Sequence, residues 1–142
     1  MANAVTDAGV KSYGEGEIDY LTDTIKIALM SGTVPSATTD SIIMMSDLIT
    51  AGNTIISEAT MASKTIADRE LGGADLTFTA VSGAAITFAM QYKDTGTTTT
   101  SRLIAQWDTA NTGTGLSTFP ITPNGLDISV SFADGPSKIY SL

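Results

Sequence analysis

The sequence predicts an all-β domain, an antiparallel β-sandwich that is jelly-roll-like, with one short helix and an extended or partly helical N-terminal arm. Apolar and polar residues alternate in several short runs, as they do in strands with one face on a core. Turn-forming Gly, Pro and Asn separate these runs at intervals of roughly ten residues, which gives about seven or eight strands. A chain of 142 residues is expected to fold as one domain, here residues 18–142, preceded by an arm of residues 1–17.

The N-terminal arm is the least core-like part of the sequence. Gly9, Gly14 and Gly16 would each cost about 1 kcal/mol in a helix interior, so we expect an extended or partly helical segment. Two interpretations remain open: an arm that becomes ordered on a partner, and a frayed terminus. The candidate apolar contacts of the arm with a partner are Val5, Val10, Tyr13 and Ile18.

The first strand is predicted at residues 25–30, where every second residue, beginning with Ile25, is a large aliphatic residue. It ends before Gly32. Residues 54–67 predict one or two further strands.

A short helix is predicted between these strands, at residues 41–51. Its apolar residues follow helical spacing more closely than alternation. Asp40 or Ser41 is the expected N-cap, and Gly52 the expected end.

The longest β pattern lies at residues 86–107. Its first half alternates, which predicts a strand with one face on the core, and its second half is a further strand. A polar loop with four consecutive threonines joins them, so we expect a long hairpin whose loop projects or is held by a neighbouring segment. The apolar set of the first strand is Ile86, Phe88, Met90 and Tyr92, and that of the second is Leu103, Ala105 and Trp107. The candidate polar contacts near the loop are Lys93, Asp94, Thr97 and Arg102.

The remaining strands are predicted from the same alternation. Residues 76–80 form one strand before the hairpin, and residues 126–132 carry the most regular alternation in the chain. Residues 116–121 predict a short strand that is either at a sheet edge or irregular, because Pro120 cannot donate a backbone hydrogen bond. Residues 139–142 end the chain as a strand or a docked tail.

The composition argues against most catalytic sites. The chain has no histidine and no cysteine, which removes the commonest general base, thiol catalysis and cysteine-based zinc sites. Carboxylates near the Gly72–Gly73 turn are the nearest approach to a calcium site, but Arg69 lies among them. We therefore predict no enzyme, and no catalytic, cofactor-binding or metal-binding residues.

The charge also limits the partners. With 15 acidic and 7 basic residues the formal net charge is −8, so phosphate backbones would repel the chain and no nucleic-acid partner is expected. No apolar run approaches the length of a transmembrane helix, so no membrane partner is expected either. No basic segment followed by an apolar one begins the chain, so we expect no signal peptide.

Several segments, taken in order, resemble a family of structural proteins from the virions of tailed bacteriophages. The matching segments are residues 15–21 (EGEIDYL), 23–29 (DTIKIAL), 92–97 (YKDTGT), 101–105 (SRLIA), 123–128 (PNGLDI) and 137–140 (SKIY). Residues 8–14 depart from the family, whose members carry a more helix-forming, charged segment there. This departure argues against a stable N-terminal helix.

The resemblance implies a non-enzymatic decoration or cement protein, without a cofactor, on the capsid surface of the virion. Such a protein is made in the cytoplasm of the host bacterium, binds the major capsid protein lattice from outside and stabilises the head, often as a homotrimer. Two alternatives remain open. One is a structural component of the phage tail or of the head–tail connector. The other is a host-surface glycan-binding module.

Overall fold

A computed structural model of the chain describes residues 4–38, 41–67, 70–108, 119–130 and 140–141. Within these ranges the secondary structure is mostly β-strand, with two short helices. The elements in chain order are β1 (Ala4–Val5), α1 (Asp7–Gly14), β2 (Ile25–Ser31), α2 (Met45–Thr50), β3 (Thr54–Thr60), β4 (Thr65–Ala67), β5 (Glu70–Gly72), β6 (Leu76–Phe78), β7 (Phe88–Lys93), β8 (Leu103–Trp107), β9 (Ile128–Val130) and β10 (Tyr140–Ser141).

The strands pair antiparallel in every sheet. The largest sheet has five strands in the order β1-β8-β7-β2-β3. In the described ranges a three-stranded sheet has the order β10-β5-β4, and β6 pairs with β9. The predicted β-rich, antiparallel class is therefore confirmed. The stacking of these sheets as a jelly-roll sandwich stays a prediction.

The centre of the large sheet is buried on both faces. The first core, on one face, includes Ile25, Ile27, Leu29, Phe78, Ala89, Ala105 and Trp107. The second core, on the other face, includes Ala28, Met30, Met45, Leu48, Phe88, Met90, Tyr92 and Leu103. Helix α2 contributes Met45 and Leu48 to the second core. The prediction that β7 has a single buried face is wrong, because Gln91 on its polar face is fully buried and donates from Nε2 to Met61 Sδ over 3.0 Å.

A β-bulge interrupts β8 at Ile104. The pairing of β7 with β8 shifts from Gln91 opposite Ala105 to Tyr92 opposite Leu103, so Ile104 is the extra residue. Leu103 consequently faces the second core, whereas Ala105 faces the first. The prediction that Leu103, Ala105 and Trp107 form one apolar set is therefore wrong.

Helix α2 lies inside the predicted range but begins later than expected. Met44 is still extended, and Asp47 Oδ2 accepts the Met44 N–H at 2.8 Å and the Ile43 N–H at 2.9 Å. Ser41 is therefore not the N-cap, and Asp40 lies outside the described residues. Gly52 ends the helix as predicted, with a φ of 93° and its N–H donating to Ile49 O over 3.0 Å.

The N-terminal arm contains a strand and an eight-residue helix, so it is partly helical, which is one of the two predicted forms. The departure from the family at residues 8–14, which argued against a stable helix, does not prevent one. Strand β1 pairs with β8, and Thr6 caps α1 by accepting the Gly9 N–H on its side chain at 3.0 Å. The helix packs on β8, and this packing, together with the cap, offsets the low helix propensity of its glycines. The arm is therefore ordered on its own chain rather than only across a neighbour.

The C-terminal half matches the prediction where it is described. Leu76 lies opposite Val130 in the pairing of β6 with β9. Ile121 forms a bridge with Ile86, but residues 116–118 of the predicted strand at 116–121 lie outside the described residues. None of the described helices has the length and apolar character needed to cross a membrane.

Candidate interaction surface

The hairpin loop between β7 and β8, residues 94–101, is held by its own chain. The Asp94 N–H donates to Thr24 O over 2.8 Å. The first turn of α2 donates to the other side of the loop, from Met45 N to Ser101 O over 2.9 Å and from Ser46 N to Thr98 O over 3.1 Å. The free N–H groups at the start of a helix are thus satisfied by the loop. The sequence predicted a loop that either projects or is held by a neighbouring segment, and the structure shows the second arrangement.

Bonds within the loop fix its shape further. Asp94 Oδ1 accepts the Gly96 N–H at 2.9 Å, which forms a side-chain turn. Thr97 O accepts the Ser101 hydroxyl at 2.9 Å and the Thr100 N–H at 3.1 Å. The loop therefore presents its exposed threonines from a fixed backbone.

One charged network joins three strands beside the loop. Lys26 Nζ lies 2.8 Å from Asp94 Oδ2 and 3.0 Å from Glu58 Oε1. Tyr92 OH donates to Glu58 Oε2 over 2.6 Å. Strand β2 lies between β3 and β7, and the register places Lys26 opposite Tyr92, so sheet pairing brings these side chains together.

The network changes the acidity of its members. Hydrogen bonds to Asp94 and then to Glu58 raise the pKa of the Lys26 amine. The bond from Lys26, followed by that from the Gly96 N–H, lowers the pKa of the Asp94 carboxyl. Burial and the bond to Glu58 raise the pKa of the Tyr92 phenol. At neutral pH, Lys26 and Asp94 are held charged and Tyr92 is held neutral.

A second charged network lies where residues 15–24 meet the hairpin. Lys93 Nζ lies 2.9 Å from Asp23 Oδ2 and donates to Glu17 O over 2.8 Å. Arg102 Nε lies 3.8 Å from Glu17 Oε2, and Lys64 donates to Asp23 O. The segment before β2 is thereby tied to the end of β7 and to the residue that precedes β8.

A pocket of about 210 Å³ opens beside the first network. Met45 and Ile55 line its apolar side, and Lys26 lies among its polar groups. The Lys26 ammonium is already satisfied by two carboxylates, so the pocket lacks an unpaired charge at that position for a ligand to bind. We interpret it as a gap between α2, β3 and the loop.

The predicted contact residues occupy three kinds of position. Val5 and Tyr13 pack partly buried against the first core, and Ile18 is buried in it. Lys93, Asp94 and Arg102 are ion-paired within the chain. Val10 is 58 % exposed on α1, and Thr97 is exposed on the loop. These last two side chains are the ones placed to contact a partner without rearrangement.

Sequence reasoning missed the partners of the predicted hairpin residues. Glu17, Asp23 and Lys26 lie in segments noted for their sequence pattern, but nothing in the pattern gives their distance from residues 93–102. Glu58 lies within the predicted strand range 54–67, which indicates a strand position and no partner. The missing signal was strand order, since only a β2 next to β7 brings these residues together.

Comparison with known proteins does not assign the chain to a family. No protein-family model matches the chain, and no curated protein matches it significantly.

Proposed function

We propose that the chain is a non-enzymatic structural protein of a tailed-bacteriophage virion. It binds the outer surface of the major capsid protein lattice and stabilises the head as a decoration or cement protein. The observation that supports this proposal most is that four of the segments that resemble phage virion proteins meet at one end of the large sheet. The resembling segments therefore belong to one structural unit and are not short matches spread over unrelated parts of the fold.

Each contact in that unit joins two of the resembling segments. Glu17, from residues 15–21, pairs with Arg102, from residues 101–105. Asp23 pairs with Lys93, and Lys26 pairs with Asp94, so residues 23–29 are joined twice to residues 92–97. Partly exposed ion pairs of this kind contribute about 1 kcal/mol or less each, so their effect is to position the loop more than to stabilise the fold.

A fixed loop suits attachment to a repetitive surface. Because the backbone of residues 94–101 is already ordered, binding does not incur the entropy cost of ordering it. Weak contacts at Val10 and Thr97 are then sufficient, since neighbouring copies bound to one lattice, or joined as a homotrimer, add their contacts by multivalency. No catalytic step is required for this role.

A glycan-binding module is less well supported. Sugar recognition commonly uses aromatic faces open to solvent, whereas Tyr92 and Trp107 in the hairpin are only 3 % exposed each. A tail or connector component could have the same β-rich fold. That function predicts a ring and few copies per particle, in contrast to a decoration protein.

The experiment that tests the proposal is co-sedimentation of the purified chain with capsids that lack decoration. We expect the chain to pellet with the capsids, and Val10→Asp to weaken this binding by at least about tenfold, since it places a carboxylate in an apolar contact. Ile49→Asp, at a 42 % exposed position on α2, is the matched control and should bind as wild type. Equal binding by both variants would exclude Val10 from the contact, and failure of the wild-type chain to pellet would contradict the proposed function.

A further inference from the structure

We propose that the strand and helix of the N-terminal arm, residues 4–14, exchange between copies of this chain and dock on β8 of a neighbouring copy. The surface involved is the edge of β8 on which β1 of the same chain pairs, together with the bulge at Ile104. Its occupant is the same arm from a second molecule. The fit between arm and surface is visible within the chain, and a single glycine turn at Gly16 connects the arm to the residues that follow it.

The complementarity of the arm to β8 is specific at the backbone. Val5 lies opposite Ala105 in antiparallel pairing. The carbonyl of the bulge residue Ile104 accepts two donors from Thr6, the backbone N–H at 2.9 Å and the hydroxyl at 3.1 Å. Gly9 then approaches the Ile104 backbone so closely that a Cβ there would lie 2.9 Å from its carbonyl carbon. Strand, cap and helix therefore all recognise one short stretch of β8.

The connection to the rest of the chain is a glycine turn at the end of α1. Gly16 has a φ of 73°, and its N–H donates to Tyr13 O over 3.2 Å while the Glu17 N–H donates to Ser12 O over 2.9 Å. This is the turn that ends many helices, and it needs a residue in the left-handed conformation. Space for a Cβ is open at Gly16, so no packing holds this position closed.

Exchange preserves the contacts that the arm makes with β8 and changes only this turn. In a dilute solution the arm docks on its own β8, because a short connection gives a high effective concentration. When copies lie side by side, the same surfaces are available in a neighbour, and an opened Gly16 turn joins the two molecules. That copies lie side by side on a capsid rests on the proposed function. The exchange itself is a property of the chain and is testable without capsids.

Disulfide trapping tests the exchange, and the chain offers a clean background because it has no cysteine. Two variants, Val5→Cys and Ala105→Cys, are mixed at high concentration, incubated and oxidised, and the mixed disulfide is measured by intact mass. These positions are Cα partners in the sheet, so a disulfide is geometrically allowed when one arm docks on the other molecule. We expect the mixed disulfide to exceed the homodimer background of Val5→Cys alone at least about fivefold. The double variant, when dilute, should form its disulfide within one chain.

Changing the turn should shift the balance between the two arrangements. Gly16→Ala disfavours the left-handed conformation. When it is added to both cysteine variants, the mixed disulfide should therefore rise by about fivefold or more over the same variants with Gly16. Gly52→Ala is the matched control, since Gly52 also ends a helix, has a φ of 93° and has open space for a Cβ. It should leave the mixed disulfide unchanged.

A mixed disulfide no greater than the background, with the double variant closing only within one chain, would overturn the proposal. So would a double variant that forms no disulfide in the dilute state, because the pairing of Val5 with Ala105 would then be wrong. Either failure is distinguishable from failure of the proposed function, since the double variant closed within one chain can still be tested for co-sedimentation with capsids.

Discussion

Gly9 of the N-terminal helix lies against the backbone of Ile104 in β8, with no room for a side chain between them. A Cβ at position 9 would be 2.9 Å from both the Cα and the carbonyl carbon of Ile104, and closer still to its carbonyl oxygen. Ile104 is the bulged residue of β8, and its carbonyl accepts from Thr6 of the arm. The glycine that lowered the predicted helix propensity is therefore the residue that lets the helix dock.

The first prediction concerns this contact. Gly9→Ala should destabilise the docked arm by about 2 kcal/mol, because overpacking against a backbone cannot be relieved by a rotamer change. Gly14→Ala lies in the same helix with no atom within 4 Å of the new Cβ, and should be neutral or stabilising by up to about 1 kcal/mol. Urea unfolding and hydrogen exchange of residues 5–14 measure both effects. Equal stability of the two variants would show that the arm does not pack in this way.

A second prediction concerns acid pH. The lowered pKa of Asp94 means that its contribution to stability is fully present above the ordinary carboxyl value of 3.8, and is lost as pH falls through the lowered pKa. Asp94→Asn should therefore lower the free energy of unfolding by on the order of 1 kcal/mol at pH 7, with the difference from wild type shrinking below pH 3.8.

The control for Asp94→Asn is Glu15→Gln. Glu15 lies 3.9 Å from Lys11 Nζ with its side chain 47 % exposed, so this pair should contribute only a few tenths of a kcal/mol. Urea unfolding between pH 2 and 7 distinguishes the two variants. A difference between wild type and Asp94→Asn that stays constant down to the lowest pH would mean that the Lys26–Asp94 ion pair is not its source.

A third prediction concerns alkaline pH. Burial raises the pKa of Tyr20 and of Tyr92 above the ordinary value of 10.0, and Tyr92 is raised further by its bond to Glu58. Since the unfolded chain ionises these phenols first, their contribution to stability is present below pH 10 and is lost as pH rises beyond it. In an ultraviolet titration of the four tyrosines, part of the absorbance change from phenol ionisation should appear only above pH 10. Tyr20→Phe and Tyr92→Phe should each reduce that fraction, and a titration complete near pH 10 in the folded protein would contradict the burial.

A fourth prediction concerns the start of α2, on which the hairpin loop rests. Asp47→Ala removes the acceptor of the Ile43 and Met44 N–H groups and should cost about 1 kcal/mol. Asp47→Asn keeps an acceptor oxygen and should recover about half of the loss or more. Thermal unfolding compares the two. If Asn and Ala were equally destabilising, the loss would be of charge near the helix start rather than of the hydrogen bonds.

The sequence allowed prediction of the elements whose patterns are local. The strands at β2 and along the hairpin, the short helix before Gly52 and the buried Trp107 were all confirmed. Each of these depends on neighbouring residues only, because side-chain period and turn chemistry are properties of a short stretch.

The features that escaped prediction depend on contacts between distant segments. The bulge at Ile104 is invisible in a run of apolar residues, and it reverses the face of Leu103. Gln91 is polar, so the alternation predicted that its face of β7 meets solvent. Packing on both sides of the sheet buries it beside Met61. A partly helical arm was predicted, but the sequence did not show that α1 docks on β8, and this docking stabilises the helix more than its own propensity does. The pairing of Lys26 with Asp94 likewise needed the strand order.

The measurement that tests the account most directly is the number of copies of this chain bound per capsid, counted after sedimentation with undecorated heads. The account predicts saturable binding at a copy number comparable with that of the capsid subunits, and a more heat-resistant head. Binding of a few copies per particle, as a tail or connector component would show, or no binding at all, would contradict it.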